Sequence, residues 1–416
     1  MRILHAADLH VRDKDIDECR KVLGFMVEYA QTKTGGLDLI VIAGDLTDRA
    51  DVKLDSPTAR LVMDTVSQLS YVAPVAICSG TKSHDGNIPE MMRQVKSYCP
   101  VYVATHPEQI LLTNASFQAI GKSEYLDAAA LISFIPTPTK QFLQGNGSIE
   151  DADKAIGDAM TSIFAMFGQE ARGQGLPHVL IGHWQVGGCY VSETQQLTGR
   201  DIEISVEQIL SAQPTVATLG HIHHAQQIGK HPIFYSGSAY SQTYGEMSPK
   251  GFYIHEIHED NSVSSEFIEG PARKLYWESF DMAGVGGDTF EELSLLFQDD
   301  KYPDEFKNTT MRVDFYVWQD EKGRIDKSEI EKFYLSAGAA SVDVRIIPVP
   351  RQNARAQKVL EVKRLRDKVE ARAEITGDVL TEGLLEKCDA LEAEAPDTLL
   401  SEIVPRETAS KEMEVA

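Results

Sequence analysis

The sequence predicts an α/β fold with a layered parallel sheet, and three observations carry that expectation. Short apolar strands alternate with segments of helical periodicity from Met1 to Cys78, the order that lays successive strands parallel. The run Leu37 to Ala43, in LDLIVIAGD, reads as a strand buried on both faces. The same strand-and-helix alternation then repeats further along the chain.

Taken in order, Leu4 to Ala7 form a strand that ends at Asp8, and Ile16, Cys19, Leu23, Met26, Val27 and Ala30 recur at helical spacing until Gly35-Gly36 stop the helix. Ser56-Pro57 make a cap and first-turn pair for a helix carrying Leu61, Val62, Val66 and Leu69, and the strand PVAIC follows. Ser148, with Asp151 three residues on, opens another helix through Phe167, and HVLIGH, TVATLGH, IFYSGS and GFYIHEI supply further strands. A large first domain, residues 1–270, closes near Gly270-Pro271. Residues 271–350 read as a small α+β domain, with the alternating strand MRVDFYVW, a helix over Ser328 to Ala337 and the strand SVDVRIIPV. Residues 351–416 read as a helical tail, its charged helices broken at Gly377 and Pro396, with a disordered end, RETASKEMEVA.

The composition, 42% hydrophobic and 25% charged over 416 residues, is that of an ordinary globular protein. No stretch resembles a membrane span, and MRILHAADLH enters a strand pattern without a signal peptide's regions, so cytoplasmic residence is expected. The five cysteines lack C-x-x-C spacing and read as reduced packing thiols. A formal charge of -23 implies weak intrinsic affinity for polyanions.

The chemistry is concentrated in Asp and His at predicted strand ends: Asp8-Leu9-His10, Gly44-Asp45-Leu46-Thr47-Asp48, Gly80-Thr81-Lys82-Ser83-His84-Asp85, Gly182-His183 and Gly220-His221-Ile222-His223. In α/β sheets such ends converge on a cleft. Each residue has an innocent reading, Asp8 or Asp45 as a helix cap and His183 as an interior histidine, but the ordered set points to metal ligation. Phosphodiester hydrolysis requires neutralised phosphoryl charge, an activated water and a stabilised leaving oxygen, which two divalent ions about 3.5–4 Å apart supply together. Mixed His and Asp ligands suit manganese, iron or zinc better than magnesium.

These motifs, D-x-H, G-D-x-x-D, G...H-D, G-H and G-H-x-H in this order, resemble those of calcineurin-like metallophosphoesterases. Tyr235-Ser236-Gly237-Ser238, Gly245-Glu246 and Lys250-Gly251-Phe252 are similar to the SbcD branch, bacterial and phage relatives of double-strand-break repair nucleases, and Ala337-Gly338-Ala339 before SVDVRIIPV resembles its capping domain. The resemblance implies a metallophosphoesterase sandwich holding two divalent ions, manganese before the others. It implies Asp8, His10, Asp45 and His223 as ligands of one ion. Asp45 as a bridge, the residue at the family's Asn position, His183 and His221 would hold the second. His84 would assist the leaving oxygen, with Asp85 orienting its ring. Asp48 takes a position where some relatives carry an outer histidine. Family members usually read G-N-H-D where this chain has a longer loop; Ser83 is taken for the Asn position, with Thr81 as the alternative register.

The implied activity is a DNA nuclease, exonuclease on duplex ends and endonuclease on single strands, working in DNA repair or recombination with an SbcC-like coiled-coil ATPase. That ATPase would dock on the tail and supply basic surface; a homodimer is left open. The competing readings are a phosphatase or nucleotide phosphodiesterase on the same site, and a non-catalytic scaffold. Among the residues without such a motif, His5, His106, His178, His255 and His258 read as structural; Tyr235, Tyr240 and Tyr244, near the predicted mouth, read as packing residues, with stacking on bases as the alternative.

Overall fold

The computed structural model describes residues 1–32, 35–113, 116–120, 127–138, 149–192, 195, 202–283, 306–350, 359 and 362–393. It divides into two units, one of Met1–Phe280, Phe290–Asp314 and Asp326–Arg345, the other of Asp281–Thr289, Phe315–Ile325 and Ile346–Ala416.

In the first unit, β1 (Arg2–Ala6), β2 (Leu39–Ala43), β3 (Val75–Cys78) and β4 (Val101–Ala104) run parallel, and the antiparallel pair β14 (Gly251–Ile257) and β15 (Val263–Glu269) extends the sheet beyond β1, giving the order β15-β14-β1-β2-β3-β4. A second sheet is built from β5 (Glu108–Thr113), β6 (Phe117–Ala119), β7 (Ala128–Ile135), β8 (His178–His183), β11 (Val216–Gly220), β12 (Gln226–Gln227) and β13 (Ile233–Tyr235), in the order β12-β13-β11-β8-β7-β5-β6. Two-residue strands β9 (Gln185–Val186) and β10 (Glu203–Ile204) pair beside it.

Alternate residues of each strand face opposite ways, so each sheet buries both faces. Ile3, Val41 and Ala76 of the first sheet meet Ile132, Phe134 and Ile181 of the second in a shared core. On the outer face of the first sheet, α1 (Ile16–Thr32) and α2 (Pro57–Ser70) pack Leu23, Met26, Val62 and Val66 against Leu4, Ile40 and Ile42. On the second, α5 (Ile149–Gln174) and α6 (Val206–Ser211) lay Phe164, Phe167 and Ile209 on Leu180 and Leu219. The result is a helix–sheet–sheet–helix sandwich, each fully buried side chain of this size contributing roughly 1.5–3 kcal/mol.

The local rules hold where the elements begin. Ser56 accepts the Ala59 N–H at 3.1 Å with Pro57 in the first turn, and Ser205 and Gln208 form a reciprocal capping box on α6. Two short helices, α3 (Lys82–Asp85) and α4 (Ile88–Met92), follow β3. Strands β4 to β7 are additions to the sequence reading: their alternation is short, and the alanines opening β7 blur strand from helix. Helix α5 runs past Phe167; Ser148, its expected cap, lies outside the described residues.

Further on, β16 (Lys274–Asp281), β17 (Thr309–Trp318) and β18 (Ser341–Val349) form a three-stranded sheet with β17 central, and α7 (Lys327–Ser336) is capped by the Asp326 carboxylate. In the tail, α8 (Leu365–Thr376) ends at Gly377 with φ 75°, the left-handed conformation that glycine adopts without strain, and α9 (Glu382–Ala393) follows. The two are tied by Arg366 and Arg364 to Asp389. The break at Gly377 falls where it is expected, while Pro396 and the RETASKEMEVA end lie outside the described residues. No described helix is long and apolar enough to cross a membrane.

Candidate metal centre

The loops leaving β1 and β2 are zipped together, Asp8, His10 and Val11 donating their N–H groups to Gly44, Asp45 and Leu46 carbonyls at 3.0, 3.0 and 3.1 Å. This forces unusual backbone. Asp8, His10, Asp45 and His221 all have positive φ, 49°, 40°, 50° and 92°, a conformation costing about 1–3 kcal/mol per residue that persists where the surroundings over-determine it, as at functional sites. Gly44, at φ +88°, and Gly80 leave the space: a Cβ on either would stand 2.2 Å from His183 Nδ1 or from Asp45 Oδ1 respectively.

The motifs converge. Asp8, His10 and His223 offer ligand atoms within 4.8 Å of one another, as do His10, Asp45 and His84, and Asp8, Asp45 and His183. Asp45 and Asp8 each belong to two of these clusters, the geometry that a bridging carboxylate needs. The His10 and His223 Nε2 atoms approach to 3.2 Å and His183 Nε2 stands 3.2 Å from Asp45 Oδ2. Nitrogen and carboxylate donors crowded this closely in a buried place form a donor set that fits divalent cations. His221 enters through its backbone, whose N–H meets both Asp8 oxygens at 3.0 and 2.9 Å, while its ring stands edge-on to His183 at 5.3 Å.

The electrostatics follow from burial. Burial pushes the Asp8 carboxyl up and the His10 imidazole well down, each away from its charged form. Burial alone would lower His183 too, yet the Asp45 and Asp8 carboxylates lift it to about 10. The Nδ1–H of His183 is held by the Ala43 carbonyl at 2.8 Å, leaving Nε2 facing the carboxylates.

Two expected roles change. Ser83 is exposed on the single turn of α3, for which Thr81 is the residue at the N-cap. Thr81 is the residue of this loop beside the cluster: its N–H donates to Asp45 Oδ1 at 2.6 Å and its Oγ1 lies 3.5 Å from His183 Nε2. Nor does Asp85 orient the His84 ring. Its buried carboxylate accepts the Leu46 and Gly80 N–H groups, both at 2.6 Å, and burial with the nearby Asp45 charge raises its pKa to about 7. The His84 ring is held by the Asp48 main-chain carbonyl, 2.8 Å from Nδ1, and Thr47 Oγ1 holds the His84 carbonyl at 2.8 Å. The Asp48 carboxylate meets Arg12 Nη1 at 3.3 Å.

Other supports had been given no part at the site, although Glu246 and Lys250 stand in the stretches that carry the SbcD resemblance. Glu246, buried, faces His223 Nδ1 at 3.3 Å and pairs with the buried Lys250 ammonium at 2.8 Å; Lys250 in turn donates to the His223 carbonyl at 2.9 Å. Burial acts against the Glu246 charge, but the His223 and Lys250 contacts hold its pKa near 2. The spacing of an acid four residues before a lysine was visible, but reads equally as an exposed helical pair. Gln195 accepts the His223 N–H at 3.0 Å, a contact without sequence signal. Away from the centre, His5 and His178 are core histidines, bonded to Leu219 O at 3.1 Å and Ser133 Oγ at 2.6 Å, and Tyr235 and Tyr240 are fully buried.

Residues 1–225, which carry the five Asp and His motifs, match the model of the calcineurin-like phosphoesterase family. The chain belongs to that family. A curated relative, the SbcD component of the nuclease SbcCD from Staphylococcus saprophyticus, is 24% identical over 288 residues, 66% of this chain and 70% of that protein. Calcineurin-like phosphoesterases hydrolyse phosphoesters with divalent metals, and this chain has the His and Asp clusters for such ions.

Proposed function

We propose that this calcineurin-like phosphoesterase is a manganese-dependent DNA nuclease, an exonuclease on duplex ends and an endonuclease on single strands, acting in repair or recombination with an SbcC-like ATPase. The observation that carries the reading is the joint one of the converged Asp8, His10, Asp45, His183 and His223 cluster and the similarity to a nuclease component extending past residue 225, the limit of the family match. Asp8, His10, Asp45 and His223 would hold one ion, and Asp45, Thr81 or a water in its place, His183 and His221 the other. The bound ions would supply phosphoryl charge neutralisation and water activation. His84 then donates a proton to the leaving oxygen from Nε2, its Nδ1–H being held by the Asp48 carbonyl.

Residues 1–270 act as the catalytic domain, 271–350 as a DNA-facing cap and 351–416 as the arm that docks the ATPase. Short charged helices such as α8 and α9 bury little by themselves, and Val379 between them and Leu384 and Leu391 on α9 are exposed. The partner's basic surface would offset the charge of -23. The test is cleavage of linear duplex, hairpin and short single-stranded DNA with manganese or magnesium, with and without the ATPase. Manganese-dependent cleavage of DNA is expected; turnover of p-nitrophenyl phosphate with no cleavage of any DNA would overturn the nuclease reading in favour of a phosphatase.

A further inference from the structure

Asp15 closes a short turn before α1 and is 8% exposed, an unusual place for a carboxylate unless it is paired. Its two oxygens are divided between two arginines: Oδ2 accepts Arg12 Nε at 2.6 Å and Oδ1 accepts Arg273 Nη2 at 2.7 Å. Arg12 spends its remaining nitrogens inside the protein, Nη1 on Asp48 Oδ1 at 3.3 Å and Nη2 on the Gln242 carbonyl at 3.4 Å, and its guanidinium lies 5.7 Å from the Tyr240 ring. Tyr240 in turn donates its hydroxyl to the His10 carbonyl at 2.8 Å. Asp48 is therefore held at its side chain by Arg12 and at its N–H by the Val11 carbonyl, 3.2 Å away, and its own carbonyl meets His84 Nδ1 at 2.8 Å.

A carbonyl cannot donate, so this contact fixes a proton on His84 Nδ1 and leaves Nε2 as the nitrogen that serves the leaving oxygen. Each Arg12 nitrogen makes one bond within the protein, and the Nη1 bond to the Asp48 carboxylate is the link that carries its position towards His84. The other end of the chain of contacts, Arg273, lies just after Gly270-Pro271, where the first sheet has ended and β16 is about to begin; its N–H is also held, by Glu18 at 2.5 Å.

We propose that Asp15 and Arg273 are positioning residues for His84, acting through Arg12 and Asp48. This rests on the reading of His84 as the group that serves the leaving oxygen, so the decisive measurement is made on the ring itself. In protein labelled with 15N at histidine, the His84 signals are assigned by their loss in His84→Gln, and solvent exchange of each ring N–H is measured without turnover. Asp15→Asn and Arg273→Ala should each raise His84 Nδ1–H exchange by roughly tenfold or more, as loss of a supporting contact of about 1.4 kcal/mol would. The His183 Nδ1–H, held by Ala43 outside this network, should exchange as in the parent. Arg273→Lys should lie between Arg273→Ala and the parent, and Asp17→Asn, which removes an exposed acid paired with Arg20, should change nothing. Arg273 is partly exposed, so its variants report even if Asp15→Asn does not fold. In turnover of bis(p-nitrophenyl) phosphate the same variants should lower kcat roughly 10–100-fold with KM little changed. A His84 ring that exchanges as in the parent in both Asp15→Asn and Arg273→Ala overturns the proposal, as does equal acceleration at His84 and His183, the sign of general loosening. A parent protein that cleaves no phosphodiester overturns the catalytic reading instead, and the exchange data still decide this one.

Discussion

Glu246→Gln removes the carboxylate that faces His223 and neutralises Lys250. Both members of the pair are buried, 2% and 4% exposed, and Lys250 Nζ would keep only the His223 carbonyl and Ser238 Oγ, each at 2.9 Å. Breaking a buried ion pair from one side costs about 3–5 kcal/mol, because the surviving charge stays uncompensated. For a domain of this class that is a fall in Tm of roughly 6–20 °C. The one carbonyl oxygen of glutamine cannot serve both Lys250 and His223, and turning it to the ammonium sets an NH2 against His223 Nδ1 and frees that ring to turn, which should weaken manganese binding by about 10–100-fold. Replacing both partners, Glu246→Gln with Lys250→Met, removes the stranded ammonium and should melt above Glu246→Gln alone. Calorimetric melts and manganese titrations of the parent, both single variants and the double variant read all of this. A Glu246→Gln protein that melts within about 2 °C of the parent and binds manganese as tightly refutes the argument, since the pair would then have to be solvent-compensated.

Three further outcomes are expected. His84→Ala should abolish phosphodiester cleavage while manganese titrations stay nearly unchanged, whereas Asp45→Ala should lose both; full turnover by His84→Ala refutes its assignment. Thr81→Asn places an amide oxygen beside His183 and should tighten the weaker of two manganese steps in titration calorimetry, whereas Ser83→Asn, at an exposed position, should leave both steps alone. Burial lowers the pKa of His5 to about 3 and of His178 to about 4. Depressed histidines are protonated more readily in the unfolded chain, so their stability is present above pH 6.5 and lost as pH falls towards 4 and 3, about 2 kcal/mol for each by pH 5. His178→Gln should therefore narrow the difference between melts at pH 7.5 and pH 5; an unchanged difference counts against it.

The layered fold was legible because its parallel strands are short continuous apolar runs bounded by helices of clear period: Leu39–Ala43 and Val75–Cys78 are buried at every residue. The Asp and His motifs were legible because each is a strand end followed by a tight turn. The strands from Val101 to Ile135 were not, since β5 is antiparallel, and the Ala-Ala-Ala opening of β7 has no period of its own. Loop register was the other limit. One helical turn decides whether Thr81 or Ser83 faces Asp45, and a longer loop between Gly80 and His84 leaves that turn unspecified by spacing alone. Roles that run through main-chain atoms, such as the Asp48 carbonyl on His84, have no side-chain signature to read.

Strand β1 begins the chain, yet its outer neighbour is β14: Arg2 to His5 pair with Glu256 to Tyr253, and the terminal amine of Met1 reaches the Ile257 carbonyl at 2.7 Å. On the ribosome, at about 5–20 residues per second, roughly 12–50 s separate the synthesis of β1 from that of its partner. Through that interval β1 offers a bare edge to any other nascent strand. A gene fragment ended at residue 225 would make that interval permanent, keeping every motif of the family while lacking the strand that seals the first one. Its expected fate is aggregation during expression, and supplying residues 226–270 on the same chain should rescue it.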